Sequence, residues 1–247
     1  MKRIWQLFLG VSLLFFTSCF DILEEVHLKK NGSGKYLVTM DMSGIMSDPF
    51  MKEAIGEAMK SEGSKMGMNI MEMDTSFSFA SAPEAQSLSA ADRKLLDQVV
   101  VNMTGNEKKG VLKMGLTVNF NSLDEMEAIS KVMKKVSEEQ EAGAGVSPMF
   151  GGGQFSNFGN LFSLKKKKLF AREAAPPLEG LLDDETKGMM SMLLGASTYK
   201  TVYNMPGKVK KTTIPNAEVD GKVVTVENPM LDILDQKVKL DGEIKFK

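Results

Sequence analysis

One cysteine, one histidine, one tryptophan and three tyrosines are all that this 247-residue chain has of thiol, imidazole, indole and phenol side chains. A lone cysteine excludes an internal disulfide. A lone histidine excludes every site that needs two imidazoles, including the H-E-x-x-H zinc enzymes. Charge of either sign is not in excess: 31 basic against 32 acidic residues leave a formal net charge of -1. A nucleic-acid binder needs a positive field to neutralise phosphates, so that class is not expected. No apolar run reaches the roughly 20 residues that span a bilayer. The phosphate-binding G-x-G-x-x-G and P-loop patterns and the G-x-S-x-G elbow are missing. Gly151-Gly152-Gly153 follows no strand pattern and opens no helix, so it is no phosphate cradle. What is present, 43% hydrophobic and 26% charged residues, is the composition of a chain that folds.

The strongest signal is at the front. Met1-Lys2-Arg3 is a short positive region, and Ile4 through Phe16 is an almost unbroken apolar run of signal-peptide length. Phe16-Thr17-Ser18-Cys19 follows directly and resembles a bacterial lipobox. The resemblance implies cleavage between Ser18 and Cys19, a thioether-linked diacylglycerol on Cys19, and acylation of the new amino group. One acyl chain anchors only marginally, whereas two or three hold firmly. Removing residues 1–18 takes away Lys2, Arg3 and Trp5, so the remaining chain is slightly more acidic and keeps only Tyr36, Tyr199 and Tyr203 beside its phenylalanines. A Trp/Tyr platform for sugars is therefore not expected. Phe20 stands where an inner-membrane retention signal would place aspartate. The expected address is the bacterial outer membrane, lipid-anchored and facing the periplasm, with the cell surface as the other option because Asp21 to Glu25 partly resembles an acidic export signal.

Alternation predicts strands over Ile22–Lys30 and Lys35–Met42 around an Asn31-Gly32-Ser33-Gly34 turn, then over Asn69–Phe79 and Gly110–Asn121. Asp48-Pro49 predicts a helix start, with Met51, Ile55 and Met59 on one face and an end near Gly63. Ser89 and Ser122 open two capping-box patterns. The first leads to Leu95, Leu96, Val99 and Val100 on a helical face, although Val99-Val100-Val101 suits a strand equally; the second predicts a helix to about Glu141 with Met126, Ile129, Met133 and Val136 inward. Residues 142–160 read as a flexible Gly/Phe-rich loop. Leu161–Arg172 reads as one strand, Leu178–Leu194 as a helix, and the remainder as strands over Thr198–Met205, Lys208–Ile214, Gly221–Glu227 and Gln236–Phe246. The expected fold is a single α+β domain over 19–247, with largely antiparallel sheet and three to four helices packed on one side.

The lipobox, the Asn31-Gly32-Ser33-Gly34-Lys35 hairpin and the Met40-Asp41-Met42-Ser43 strand end together resemble a group of Bacteroidota envelope lipoproteins. Tyr203, Pro206, Gly207 and Val209, followed by Gly221-Lys222-Val223-Val224, are similar to the LppM-like lipoprotein domain of actinobacteria. The second resemblance implies a link to membrane glycolipids and supplies no catalytic residue.

Methionine is the compositional excess, at 20 residues. Met40 with Met42 and Met71 with Met73 have the spacing at which thioethers on a strand share a face, which suits a periplasmic Cu(I) carrier. The other reading is adaptable core filling. Phe150, Phe155, Phe158 and Phe162, with Lys165, Lys166, Lys167 and Lys168, form a candidate lipid or membrane contact, the rings entering the acyl boundary and the lysines meeting anionic headgroups. The alternative is a disordered loop before a solvated strand whose lysines discourage aggregation. Asp124-Glu125 and Asp183-Asp184-Glu185 stand at expected helix starts, where the macrodipole explains them. His27 reads as a surface residue beside Glu25. The expected role is therefore non-catalytic and cofactor-free: binding, of a lipid or other apolar ligand, or structural support at the membrane held through Cys19.

Overall fold

A computed structural model describes residues 20–44, 46, 49, 52, 53, 57, 69, 71–140, 158–174 and 194–247. Ser18, Cys19, Phe150 and Phe155 lie outside the described residues, as do most of the helix expected after Pro49 and nearly all of that expected over Leu178–Leu194.

The elements are β1 (Asp21–Leu28), β2 (Gly34–Asp41), β3 (Glu72–Ser78), α1 (Ala90–Leu96), β4 (Val99–Asn106), β5 (Val111–Phe120) and α2 (Leu123–Gln140), followed by β6 (Phe162–Lys165), β7 (Leu169–Arg172), β8 (Thr198–Asn204), β9 (Val209–Thr212), β10 (Glu218–Asp220), β11 (Val223–Pro229), α3 (Met230–Leu234) and β12 (Gly242–Phe246). They build two sheets. One has eight strands in the order β10-β11-β8-β1-β2-β5-β4-β3; the other has four in the order β6-β7-β12-β9. Every pairing is antiparallel except β1 with β8. The class is α+β, mostly sheet, with three helices whose full bounds lie among the described residues.

Strict alternation decides which side of the large sheet is the core. Val99, Val101 and Met103 of β4 face inward, as do Leu112, Met114, Leu116, Val118 and Phe120 of β5 and Tyr36, Val38 and Met40 of β2. Burying such a side chain is worth about 1.5–3 kcal/mol, and a one-residue slip in register would expose the whole row. Gly34, at the start of β2, is fixed by space: a Cβ there would lie 2.3 Å from the His27 carbonyl oxygen.

Helix α2 starts where its capping box predicts. The Ser122 hydroxyl accepts the Glu125 N–H at 3.1 Å, and the Glu125 carboxylate turns back to accept the Asn121 N–H. Its inward stripe is Met126, Ile129, Met133 and Val136, all buried. A short 3-10 turn, Phe158–Leu161, lies against this helix.

Three expected spans differ in the structure, and one left open is decided. Val99 and Val100, whose run suits helix or strand, belong to β4, because three consecutive β-branched residues pack better in a pleat than against a helical turn. Leu161–Arg172 is a hairpin, β6 and β7, with the lysines at its turn. Phe158 to Asn160 form an ordered, largely buried 3-10 turn instead of loop. Gln236–Phe246 is strand only from Gly242, and α3 and the short β10 escape the alternation pattern because neither is long enough to display a period.

Candidate functional site

The inward row of β1 is Ile22, Glu24, Val26 and Leu28: three aliphatic residues and one carboxylate in the same buried parity. An unpaired carboxylate there would cost far more than the sheet gains, so its surroundings must supply partners. They do. In the parallel register Ile22 faces Tyr199, Glu24 faces Thr201 and Val26 faces Tyr203, which points the polar row of β8 toward Glu24. On the other side β2 brings Tyr36 opposite Val26, one step along the same face.

The result is a closed network. Glu24 Oε1 accepts the Tyr36 hydroxyl at 3.0 Å. Glu24 Oε2 accepts the hydroxyls of Tyr199 and Thr201, each at 3.1 Å, together with Arg172 Nη1 from β7 of the second sheet. Arg172 Nη1 also donates to the Tyr203 hydroxyl at 2.9 Å. All three tyrosines of the chain join this network, Tyr36 and Tyr199 at the carboxylate and Tyr203 through Arg172. Glu24 is 0% exposed and Arg172 4%. An aromatic chain closes the cluster from the second sheet: Tyr36 stacks on Phe158 with centroids 5.1 Å apart, and Phe170 lies 5.4 Å from Phe162 and 5.7 Å from Tyr203.

The electrostatics follow from that enclosure. Burial, and then the charge of Glu24, push the hydroxyls of Tyr36 and Tyr199 well above the ordinary tyrosine value. Burial pushes Tyr203 up to about 12, against the opposing field of Arg172. For Arg172, burial opposes the charge, yet Glu24, Tyr203 and Tyr199 together outweigh it and hold the guanidinium above its ordinary value. The tyrosines are thus neutral, Tyr36 and Tyr199 donating to Glu24 and Tyr203 accepting from Arg172, and the arginine is a fixed cation. The cluster offers strength and geometry at the seam between the sheets.

The residues singled out from the sequence are placed as follows. Phe158 and Phe162 are core residues, 0% and 6% exposed, which removes both from any surface able to touch a membrane in this fold. Lys165, Lys166, Lys167 and Lys168 are all exposed at the β6–β7 turn, where Lys166 and Lys167 both have φ near +52°. Phe158 and Phe162 therefore part company from the four lysines. Met40, Met42 and Met71 are buried and Met73 packs partly buried on β3. The Met40/Met42 and Met71/Met73 pairs lie at strands separated by β5 and β4, roughly 14 Å apart by strand spacing, so the two pairs do not converge on one ion. Met40 instead faces Met114, which faces Met103, in a continuous buried row. His27 lies on the open face of the sheet, 3.6 Å from Glu25. Among the described residues no group of three or more His, Cys, Asp or Glu side chains is arranged to hold a metal, and no helix is long and apolar enough to cross a membrane.

The Glu24 cluster was not foreseen. Its signal was available: one acid in the aliphatic parity of β1, and the Tyr199-x-Thr201-x-Tyr203 alternation of β8.

No protein-family model and no curated protein matches this sequence. Among solved structures, the NMR structure of the folded domain of the Mycobacterium tuberculosis LppM protein is similar, with 8% identity, a TM-score of 0.43, and coverage of 94% of this chain and 92% of that one. The Bacteroidota likeness rests on the sequence motifs alone.

Proposed function

We propose that this chain is a lipid-anchored bacterial envelope protein, held through Cys19 and acting by binding or as a structural accessory rather than by catalysis. The observation that carries the reading is the Phe16-Thr17-Ser18-Cys19 motif together with the position of β1. Strand β1 starts at Asp21, two residues past Cys19, and sits inside the eight-stranded sheet between β8 and β2. Two extended residues reach at most about 7 Å. Acyl chains on Cys19 would therefore hold the near end of the sheet directly at the bilayer, without a linker.

A binding role is favoured over chemistry because, among the described residues, the titratable groups gathered around Glu24 are committed to one another. Outer-membrane placement, facing the periplasm, is the address that Phe20 favours. A lipid or other apolar molecule is the ligand class proposed for the mature domain.

Metabolic labelling with a palmitate analogue tests the anchor. Label is expected on the wild-type chain and absent from Cys19→Ala. Label persisting in Cys19→Ala, or missing from both, would overturn the proposal.

A further inference from the structure

The second sheet concentrates positive charge at one end. On its outer face Lys245 of β12 stands opposite Leu169 of β7 on one side and Lys211 of β9 on the other, and Lys165 stands opposite Leu169. This row crosses all four strands. The lysine turn closes one end of it, for the Phe246 N–H donates to the Lys168 carbonyl at 3.0 Å. Lys208 joins it through the Lys247 N–H, which donates to the Lys208 carbonyl at 3.0 Å. All these lysines are exposed, and none forms an ion pair among the described residues. Glu243, exposed on β12, and Asp220, on β10, are the nearby acids in the strand pattern. Such a pole on a chain of net charge -1 is a local concentration, not an average.

Two features favour a flat phosphate surface as its partner. Lysines are hydrated point charges that act without the two-point geometry an arginine supplies, and they add roughly evenly near an anionic bilayer. The sheet's phenylalanines, Phe162, Phe170 and Phe246, are buried, so among the described residues the basic face offers no ring on which a nucleic-acid base could stack. The turn itself adds a third point. Lys166 and Lys167 occupy left-handed backbone, where glycine or asparagine would sit with less strain.

The position of the pole is also determined. The Asp21 carboxylate accepts the Thr198 N–H at 2.9 Å, marking the end where β1 and β8 both begin. Chain leaving the other end of β8 reaches Val209, whose N–H donates to Gly221 in the β10–β11 turn, and Lys208 and Lys247 lie there. An eight-residue strand is about 25 Å long, so the pole stands about that far from the start of β1.

We infer that the lysine pole is a docking surface for an anionic phospholipid bilayer. Its further consequence rests on the anchoring proposed above: the membrane it meets is a second one, facing that which holds Cys19.

The test uses the full chain reconstituted into phosphatidylcholine vesicles. Labelled acceptor vesicles are added, either of phosphatidylcholine alone or with about 30 mol% phosphatidylglycerol, in salt of about 50 mM and then about 500 mM. Capture of the anionic acceptors only, lost at the higher salt, is expected. Changing Lys165, Lys166, Lys167 and Lys168 to Gln should reduce capture by more than about tenfold, as should the separate set Lys208→Gln, Lys211→Gln and Lys245→Gln. A control carrying Lys94→Gln, Lys108→Gln, Lys109→Gln and Lys131→Gln should behave as wild type.

Equal capture of neutral acceptors, or wild-type capture by both pole variants, overturns the inference. So does displacement by inorganic phosphate beyond that by chloride at matched ionic strength, which would mean a discrete phosphate site. Binding of soluble polyglutamate without binding of phosphatidylglycerol vesicles would assign the pole to an acidic protein and also overturns it. If the chain does not float with the first vesicles, anchoring has failed; flotation of the free chain with the anionic vesicles then decides the inference by itself.

Discussion

Glu24 on β1 and Arg172 on β7, 148 residues apart in the chain, form a buried ion pair that joins the eight-stranded sheet to the four-stranded one. Two charges removed from water recover their desolvation cost only when geometry and further hydrogen bonds are good, and here Tyr36, Tyr199 and Thr201 complete the carboxylate while Tyr203 shares the guanidinium. Breaking one side should be much worse than replacing both. Arg172→Met alone, or Glu24→Leu alone, is expected to destabilise by about 3–5 kcal/mol. The double replacement should recover most of that loss. Denaturant midpoints of the four proteins measure it; a single variant as stable as wild type would show that the pair is not load-sharing between the sheets.

Alkali should act through the same cluster. The folded-state values of Tyr36, Tyr199 and Tyr203 all lie above the unfolded tyrosine value of about 10. Above that pH the unfolded chain releases protons that the folded chain retains, so stability is complete below about pH 10 and falls as pH rises. For Tyr203 the loss continues to about 12. Tyrosinate absorbance is expected to rise together with loss of near-ultraviolet circular dichroism. Tyrosines ionising near pH 10 in a chain that stays folded would contradict the enclosure.

Long periodic elements were legible in the sequence and the site was not. β5 shows ten residues of alternation and α2 has both a capping box and a complete inward stripe, so each was expected within a residue or two. The single strand expected over Leu161–Arg172 failed because Lys166 and Lys167 sit at left-handed positions, where turn signals usually show Gly or Asn. The parallel register of β1 on β8 depends on a partner some 175 residues away, as the Tyr199–Glu24 bond illustrates, and no local pattern encodes that. The Glu24 cluster therefore stayed hidden although each of its members was visible.

The approach of the Phe158 turn to α2 is tight enough to test with one methyl group. A Cβ on Gly159 would fall 2.5 Å from Glu127 Cα and 2.8 Å from the Met126 carbonyl oxygen, both backbone atoms that cannot swing aside. Gly159→Ala is expected to destabilise by about 1–3 kcal/mol through overpacking. The stacking of Phe158 on Tyr36 should loosen with it, lowering the protection of the Tyr36 hydroxyl. Unfolding midpoints and amide exchange along α2 report the change; a neutral result would mean that the turn stands further from the helix.

The buried row Met40, Met114 and Met103 separates the two readings of the methionine excess. As core filling, each thioether contributes shape and dispersion, and leucine of nearly equal volume should replace it at a cost below about 1.5 kcal/mol per site. As Cu(I) ligands, the same residues would be irreplaceable, because leucine has no donor atom. The separation of the Met40/Met42 pair from the Met71/Met73 pair across β5 and β4 favours filling. Met40→Leu with Met42→Leu is therefore expected to leave the chain folded and its competition with a Cu(I) chelator unchanged. A wild-type chain that takes Cu(I) from the chelator, and a double variant that no longer does, would restore the copper reading and show that the spacing in the sequence had identified ligands after all.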